Sequence, residues 1–356
     1  MSRTTRKRDI TSGGSAVARH LGRLLFFIFW TVLLTAIVLL GVVFVMEKGP
    51  SPTLTATFCR SMRETSAIRW IPNIFLTDAE IDAMKSSNTE NVETQAVNTS
   101  LIHIAAGDPE TETGEETPGL ELIDISDGTV KGKLLIVHDP SRVILGTSNN
   151  LGRQAGLQLT DLVAKYNGVA GTNAGGFNDE NGLGNGGIPQ GLVITGGQLV
   201  WGGMNTTYNV IGLDSDNILH VGRMTGQQAM DLGIRDAVSF VTHDGLASAL
   251  VINGEVQTQN LVSGVNPRTA IGQRGSDGAI LLLVLDGRSI DTLGATMENV
   301  CDIMLRYGAV NVGNLDGGSS SVMVYDGEII NNCASVTGPR YIPTGFVVLP
   351  EGESNG

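Results

Sequence analysis

Basic residues are in short supply. Lys and Arg number 23 against 36 Asp and Glu, and the formal charge of −13 argues against nucleic-acid binding, which needs a basic face. Three cysteines, Cys59, Cys301 and Cys333, allow at most one internal bridge. Cys301 reads as a buried helix position, so none is expected. His103, His138, His220 and His243 lack the spacing of a zinc site. No G-x-S-x-G turn surrounds Ser319, Ser320 or Ser321, which argues against that class of serine hydrolase. Gly182-Leu-Gly-Asn-Gly-Gly187 matches the dinucleotide pattern in letters only. No apolar strand precedes it, and Pro189 stands where its helix would begin.

The few basic residues are concentrated at one end. Residues 1–23 carry Arg3, Arg6, Lys7, Arg8, Arg19 and Arg23 against Asp9, a net of +5 that leaves the remainder at −18. Leu24 to Met46 follows without a charge and is long enough to span a bilayer. Basic residues ahead of it orient the N-terminus toward the cytoplasm. The run is longer than the core of a cleaved signal, and no small-x-small site follows. The expectation is a single-pass anchor in the cell membrane, with everything from Glu47 onward outside the cytoplasm.

The domain map follows from composition. Residues 1–23 read as a cytoplasmic tail, 24–46 as the anchor and 47–85 as a membrane-proximal stalk. In the stalk, Thr77-Asp-Ala-Glu80 has the form of a helix start with a capping box. Residues 86–120, poor in apolar side chains and rich in acids, read as a flexible tether. Residues 121–350 read as the folded domain, and 351–356 as a tail.

Within that domain, Lys133–Val137 and Ala279–Leu285 read as buried strands. Three apolar pairs turn around Gly196-Gly197, Asn253-Gly254 and Asp326-Gly327 and read as hairpins. Helices are expected over Leu159–Tyr166, Thr225–Leu232 and Thr296–Arg306, the last stopped by Gly308. This mixture predicts an α+β fold, with a largely antiparallel or mixed sheet, several hairpins and a few packed helices after one transmembrane helix.

The chemistry concentrates in three places. Asn314-Leu-Asp-Gly-Gly-Ser-Ser320 puts Asp316 at a strand end beside Gly317 and Gly318, whose N–H groups can form an anion nest; a capped glycine turn is the plain alternative. Asn266-Pro-Arg268 fixes the backbone before an arginine suited to phosphate, and Asp286 closes the long apolar strand. Gly171 to Gly182 brings Asn173, Asn178 and Asp179 onto backbone that a ligand can approach closely. Clustered Asp and Asn oxygens also suit Ca²⁺, but the spacing of an EF-hand loop is missing, and no cofactor is predicted. Glycoside cleavage wants two carboxylates; Asp286 and Asp316, with Arg268 as the cation, are the candidates.

Asn173-Ala-Gly-Gly-Phe177, Gly187-Ile-Pro-Gln-Gly191, Pro267-Arg-Thr-Ala270, Asp286-Gly-Arg288 and Asn314 to Ser320 stand in the order found in the phosphodiester glycosidase family, and over residues 121–350 the chain resembles that family. The anchor and acidic tether resemble its bacterial exopolysaccharide-associated members. The resemblance implies hydrolysis of a sugar-1-phosphodiester in a cell-surface glycan, with Asp316 and Asp286 as acid and base. It places phosphate on Arg268, Gly317 and Gly318, and sugar or phosphate against Asn173. Gly175, Gly176, Asn314 and Ser319 join the substrate-binding set as motif members. Ser319 replaces a glycine of the family pattern, which implies a narrower nest. A non-catalytic glycan-binding or assembly protein on the same fold is the competing expectation.

Overall fold

The computed structural model describes residues 13–65, 68–84, 95–104, 119–179, 185–242, 248–335 and 338–354. Most of the expected tether, the extreme N-terminus and the first part of the G-x-G-x-x-G run lie outside these residues. The chain divides after Thr55 into two units. The first is built on helix α1 (Gly13–Lys48), long and apolar enough to cross a membrane from Ala18 to Lys48. A signal sequence near an N-terminus can meet the same criteria of length and apolarity.

The second unit begins at Ala56, well before the expected boundary at 121. Helix α2 (Pro52–Arg63) leads into it and helix α3 (Asp78–Ala83) follows, capped reciprocally by Thr77 and Glu80. From Ala56 onward, the segment expected to be a stalk therefore belongs to the second unit. Residues 95–104 are attached as well: the Asn98 amide donates to Asn253 Oδ1 at 2.7 Å, and the His103 amide to the Gly275 carbonyl at 2.9 Å.

Three antiparallel sheets build the rest. The largest has the order β1 (Leu120–Asp127), β2 (Val130–Val137), β13 (Ile280–Leu285), β12 (Arg268–Arg274), β14 (Ala309–Asn314), β10 (Ala249–Ile252) and β11 (Glu255–Val256). A second runs β16 (Glu328–Ile329), β15 (Met323–Tyr325), β4 (Ala170–Asn173), β17 (Thr344–Val348) and β3 (Val143–Thr147). The third runs β6 (Gln198–Trp201), β5 (Val193–Thr195), β9 (Ile234–Ser239), β7 (Thr207–Asp214) and β8 (Leu219–Thr225).

Local chemistry accounts for the elements. Gly196 and Gly197, Asn253 and Gly254, and Asp326 and Gly327 all have positive φ, the paired left-handed turn that matches the twist of a hairpin. Helix α4 (Leu159–Lys165) lies in the expected place. Helices α5 (Gly226–Asp231) and α6 (Met297–Arg306) start at Thr225 and Thr296, whose hydroxyls accept from the third amide of each helix. Strand β13 is apolar at every position because both its faces are covered. Ile280, Leu282 and Val284 enter a core shared by all three sheets, while Leu281, Leu283 and Leu285 pack with Val300, Cys301 and Met304 of α6. None of the three cysteines is in a disulfide.

Register places the functional motifs. Strand β12 pairs antiparallel with both neighbours, so Arg268 at its start lies opposite Leu285 at the end of β13, and Ala270 lies opposite Asn314 at the end of β14. The chain beyond those ends, Asp286 to Arg288 and Leu315 to Ser320, consequently meets the Pro267 turn at one end of the sheet.

Candidate active site

A cleft of about 560 Å³ opens at that end, with Asp316, Asp179, Arg288, Arg340, Phe177 and Gln190 among its lining residues. Asp316 stands two residues beyond the end of β14. Its amide donates to the Ala174 carbonyl at 3.0 Å, which ties the loop to the end of β4. Burial pushes its carboxyl up to about 6, and Asp179 adds to the rise; the Ser320 hydroxyl, Arg340 and the Gly317 N–H work against it. A carboxyl with that value is largely ionised at neutrality yet more basic than an ordinary carboxylate, which suits it to accept a proton.

Arg63, Arg69, Arg288 and Arg340 line the cleft, and the last two lie against the Asp316 loop. Arg340 binds Asp179 through both its terminal nitrogens, at 2.8 and 3.2 Å, and donates to Ser319 Oγ at 3.2 Å. Its guanidinium carbon lies 5.3 Å from the centre of the Phe177 ring, within cation–π range. Arg288 has a left-handed backbone, φ 55°, uncommon for a residue with a side chain. Its Nη2 donates to Thr65 Oγ1 at 2.7 Å and Asn266 Oδ1 at 3.0 Å. Gly318, at φ +65°, lies directly beneath: a Cβ there would sit 3.1 Å from Arg288 Nη2. That glycine is needed both for its own conformation and for the close approach of the guanidinium.

The residues expected from sequence divide sharply. Asp316, Gly317, Gly318 and Ser319 line the cleft. Arg268 lies behind it, 6% exposed. Its Nη2 donates to Glu64 Oε2 at 2.8 Å and to the Gly264 carbonyl at 2.5 Å, and its Nε to the Ala295 carbonyl at 3.1 Å. Those contacts turn it away from any ligand, and Arg288 stands in the place expected of it. Asp286 is likewise committed: its Oδ1 accepts from Asn331 Nδ2 at 3.1 Å and from the Asn332 amide at 3.0 Å. It is not among the lining residues, and Asp179 and Glu64 are the other carboxylates of the cleft.

The expected nest of N–H groups is closed. The Gly318 amide donates to the Pro267 carbonyl, the Ser320 amide to Gly317 and the Ser321 amide to Gly318, while the Gly317 N–H serves the Asp316 carboxyl itself. Gly175 and Gly176 donate to Thr344 Oγ1 and the Ser239 carbonyl. They permit packing rather than ligand contact: a Cβ on Gly176 would lie 2.6 Å from Gln190 Oε1. Asn314 is buried with its amide donating to the Ser248 carbonyl, and its Oδ1 has no partner among the described residues.

Asn173, also buried, positions the Asp316 loop. Its Nδ2 donates to the Asp316 carbonyl at 2.6 Å, and its Oδ1 accepts from the Thr269 hydroxyl and the Val322 amide. Asn173→Ala strands several buried groups together and is expected to cost about 2–3 kcal/mol, read as a lower urea midpoint. Among the described residues, no three His, Cys, Asp or Glu side chains gather as a metal site of that kind requires.

Comparison with known proteins matches this architecture. The phosphodiester glycosidase family matches residues 166–349. The solved catalytic domain of zebrafish N-acetylglucosamine-1-phosphodiester α-N-acetylglucosaminidase, auto-inhibited by its pro-peptide, superposes with a TM-score of 0.55. The superposition covers 67% of this chain and 85% of that one at 20% identity, a likeness of fold. An uncharacterized SPβ prophage-derived protein of Bacillus subtilis, YomE, is 34% identical over 90 residues, 25% of this chain. The match spans only 14% of that relative's length.

Proposed function

Because the chain belongs to the phosphodiester glycosidase family, we propose that it hydrolyses a sugar-1-phosphodiester bond, with Asp316 as the base and Arg288 and Arg340 as the phosphate clamp. The observation that carries this reading is the cleft in which a carboxyl pushed up to about 6 meets the guanidinium groups of Arg288 and Arg340. The diester phosphate lies against the guanidinium nitrogens, which suit its paired oxygens, and the sugar C1 faces Asp316. Asp316 takes a proton from water as the water oxygen bonds to C1. The bond from C1 to the bridging oxygen breaks, and its electron pair leaves on the phosphate. The products are a free sugar and a phosphomonoester.

This leaving group is already a weak base and needs little protonation, so the second carboxylate is released from the acid's part. Asp179 instead orients the fork of Arg340. Helix α1 with its basic flank supports action outside the cytoplasm on a membrane-proximal glycan or exopolysaccharide. The test is release of reducing sugar from a panel of synthetic sugar-1-phosphodiesters by the full chain in detergent. Arg288→Ala is expected to lower kcat/KM by about a hundredfold, the loss of ~2–3 kcal/mol for a charged hydrogen-bond donor. Binding of phosphate without turnover on any member of the panel would favour the glycan-binding alternative.

A further inference from the structure

The phosphate clamp is supported by residues that lie far upstream of the family-matched region. Glu64 and Thr65 follow immediately after helix α2, about a hundred residues before the match begins at 166. Both line the cleft. We propose that Glu64 and Thr65 are positioning residues of the active site, setting the Arg288 guanidinium for an anionic substrate group; this rests on the reading of Arg288 as a phosphate ligand.

The contacts form one chain of hydrogen bonds. The Thr65 hydroxyl donates to the Ser61 carbonyl at 3.0 Å, one turn back along α2, and so presents its lone pair to Arg288 Nη2 at 2.7 Å. The second partner of Arg288, Asn266, is set by Glu64: Asn266 Nδ2 donates to Glu64 Oε2 at 2.8 Å, which turns Oδ1 toward Arg288 at 3.0 Å. Glu64 Oε1 accepts from the Gly264 amide at 2.7 Å, and Oε2 also receives Arg268. Ser61 Oγ accepts from the Val265 amide at 2.8 Å. Gly264 is a requirement of this docking, since a Cβ there would lie 2.3 Å from the Ser61 nitrogen. Arg288 and Arg268 repel one another, and Glu64 attracts both. Glu64 is ion-paired with the buried Arg268, so Arg288 keeps its positive charge at the cleft, which favours an anion beside it.

A guanidinium on a flexible stem loses several rotatable bonds when a ligand orders it, and acceptors that hold it beforehand remove that cost. The test uses the full chain in detergent micelles, with inorganic phosphate as the probe in calorimetry and thermal unfolding as the control. Thr65→Val, nearly isosteric but without the acceptor, is expected to weaken phosphate binding about threefold to tenfold without shifting Tm. Thr65→Ser is expected to restore it. In an Arg288→Ala background, Thr65→Val is expected to add nothing, the mark of a residue that acts through Arg288. Unchanged phosphate affinity in Thr65→Val, or an equal loss in both backgrounds, would overturn the proposal even if the chain turns over its substrate. Phosphate binding that depends on Thr65 in a chain that hydrolyses no diester supports the proposal and removes the hydrolase reading instead.

Discussion

Asp316→Asn is expected to lower kcat on a cleaved sugar-1-phosphodiester by about a thousandfold, within the 10²–10⁴ range for a positioned base, while leaving the protein folded. The amide keeps the shape and much of the hydrogen bonding to Ser320 but cannot take a proton from water. In the parent protein kcat/KM is expected to rise with pH through about 6, the value at which burial holds this carboxyl, since that profile reports the free protein's base. Stability runs the other way. The folded value lies above the ordinary 3.8, so folded Asp316 holds its proton more tightly than unfolded Asp316. Its contribution to stability is full below 3.8 and is lost as pH rises through about 6. At pH 7.5 the Asn variant should therefore melt no lower than the parent, and at pH 4 it should lose any advantage. A flat pH profile combined with near-parental turnover in Asp316→Asn would remove Asp316 from the reaction.

Asp316's place on the cleft was legible because its neighbours announce it: a strand end, two glycines and a run of hydroxyls. The two arginines proposed as the clamp were not. Arg268 and Arg288 both sit in short motifs at the same end of the sheet, and nothing local distinguishes the one that faces the cleft. The choice is made by Glu64, which binds Arg268 into the interior. Asp179 and Arg340 are 161 residues apart, so their pairing is a product of tertiary structure alone. The signal that favours Arg288 is indirect: a left-handed, non-glycine residue over a left-handed glycine is backbone strain, which gathers at functional sites. Sequence shows the residue types and not the φ angles.

Fold elements were legible where one local cause dominates. Paired Asn-Gly, Asp-Gly and Gly-Gly turns, threonine caps and an apolar strand each have a physical reason within a few residues. Helix α2 and its following turn fail that criterion. Their attachment runs through Ser61, Glu64 and Thr65 meeting backbone amides and polar side chains near residue 265. The apolar residues Phe58 and Cys59 pack with Leu76 and Ile81 in a cluster of the segment's own, so the hydrophobic pattern does not announce this polar docking. Residues 95–104 and β1 are held to the same unit.

Arg268→Ala is expected to lower stability by about 3–5 kcal/mol, because it leaves the Glu64 carboxylate, 11% exposed at its side chain, without its cation. On a unit of this size such a loss moves Tm down by about 10 °C. The Gly264 and Ala295 carbonyls lose their donor in the same substitution, which adds to the effect. Glu64→Gln in the Arg268→Ala background is expected to recover part of the loss, since it removes the stranded charge and retains an acceptor for the Gly264 amide. Arg288→Ala, by contrast, removes a side chain exposed in the cleft and should leave Tm near the parental value while weakening phosphate binding. Thermal unfolding and phosphate titration of the two single variants separate the arginines cleanly. An Arg268→Ala protein that melts like the parent but no longer binds phosphate would assign the anion to Arg268, and the division of labour between the two arginines would have to be reversed.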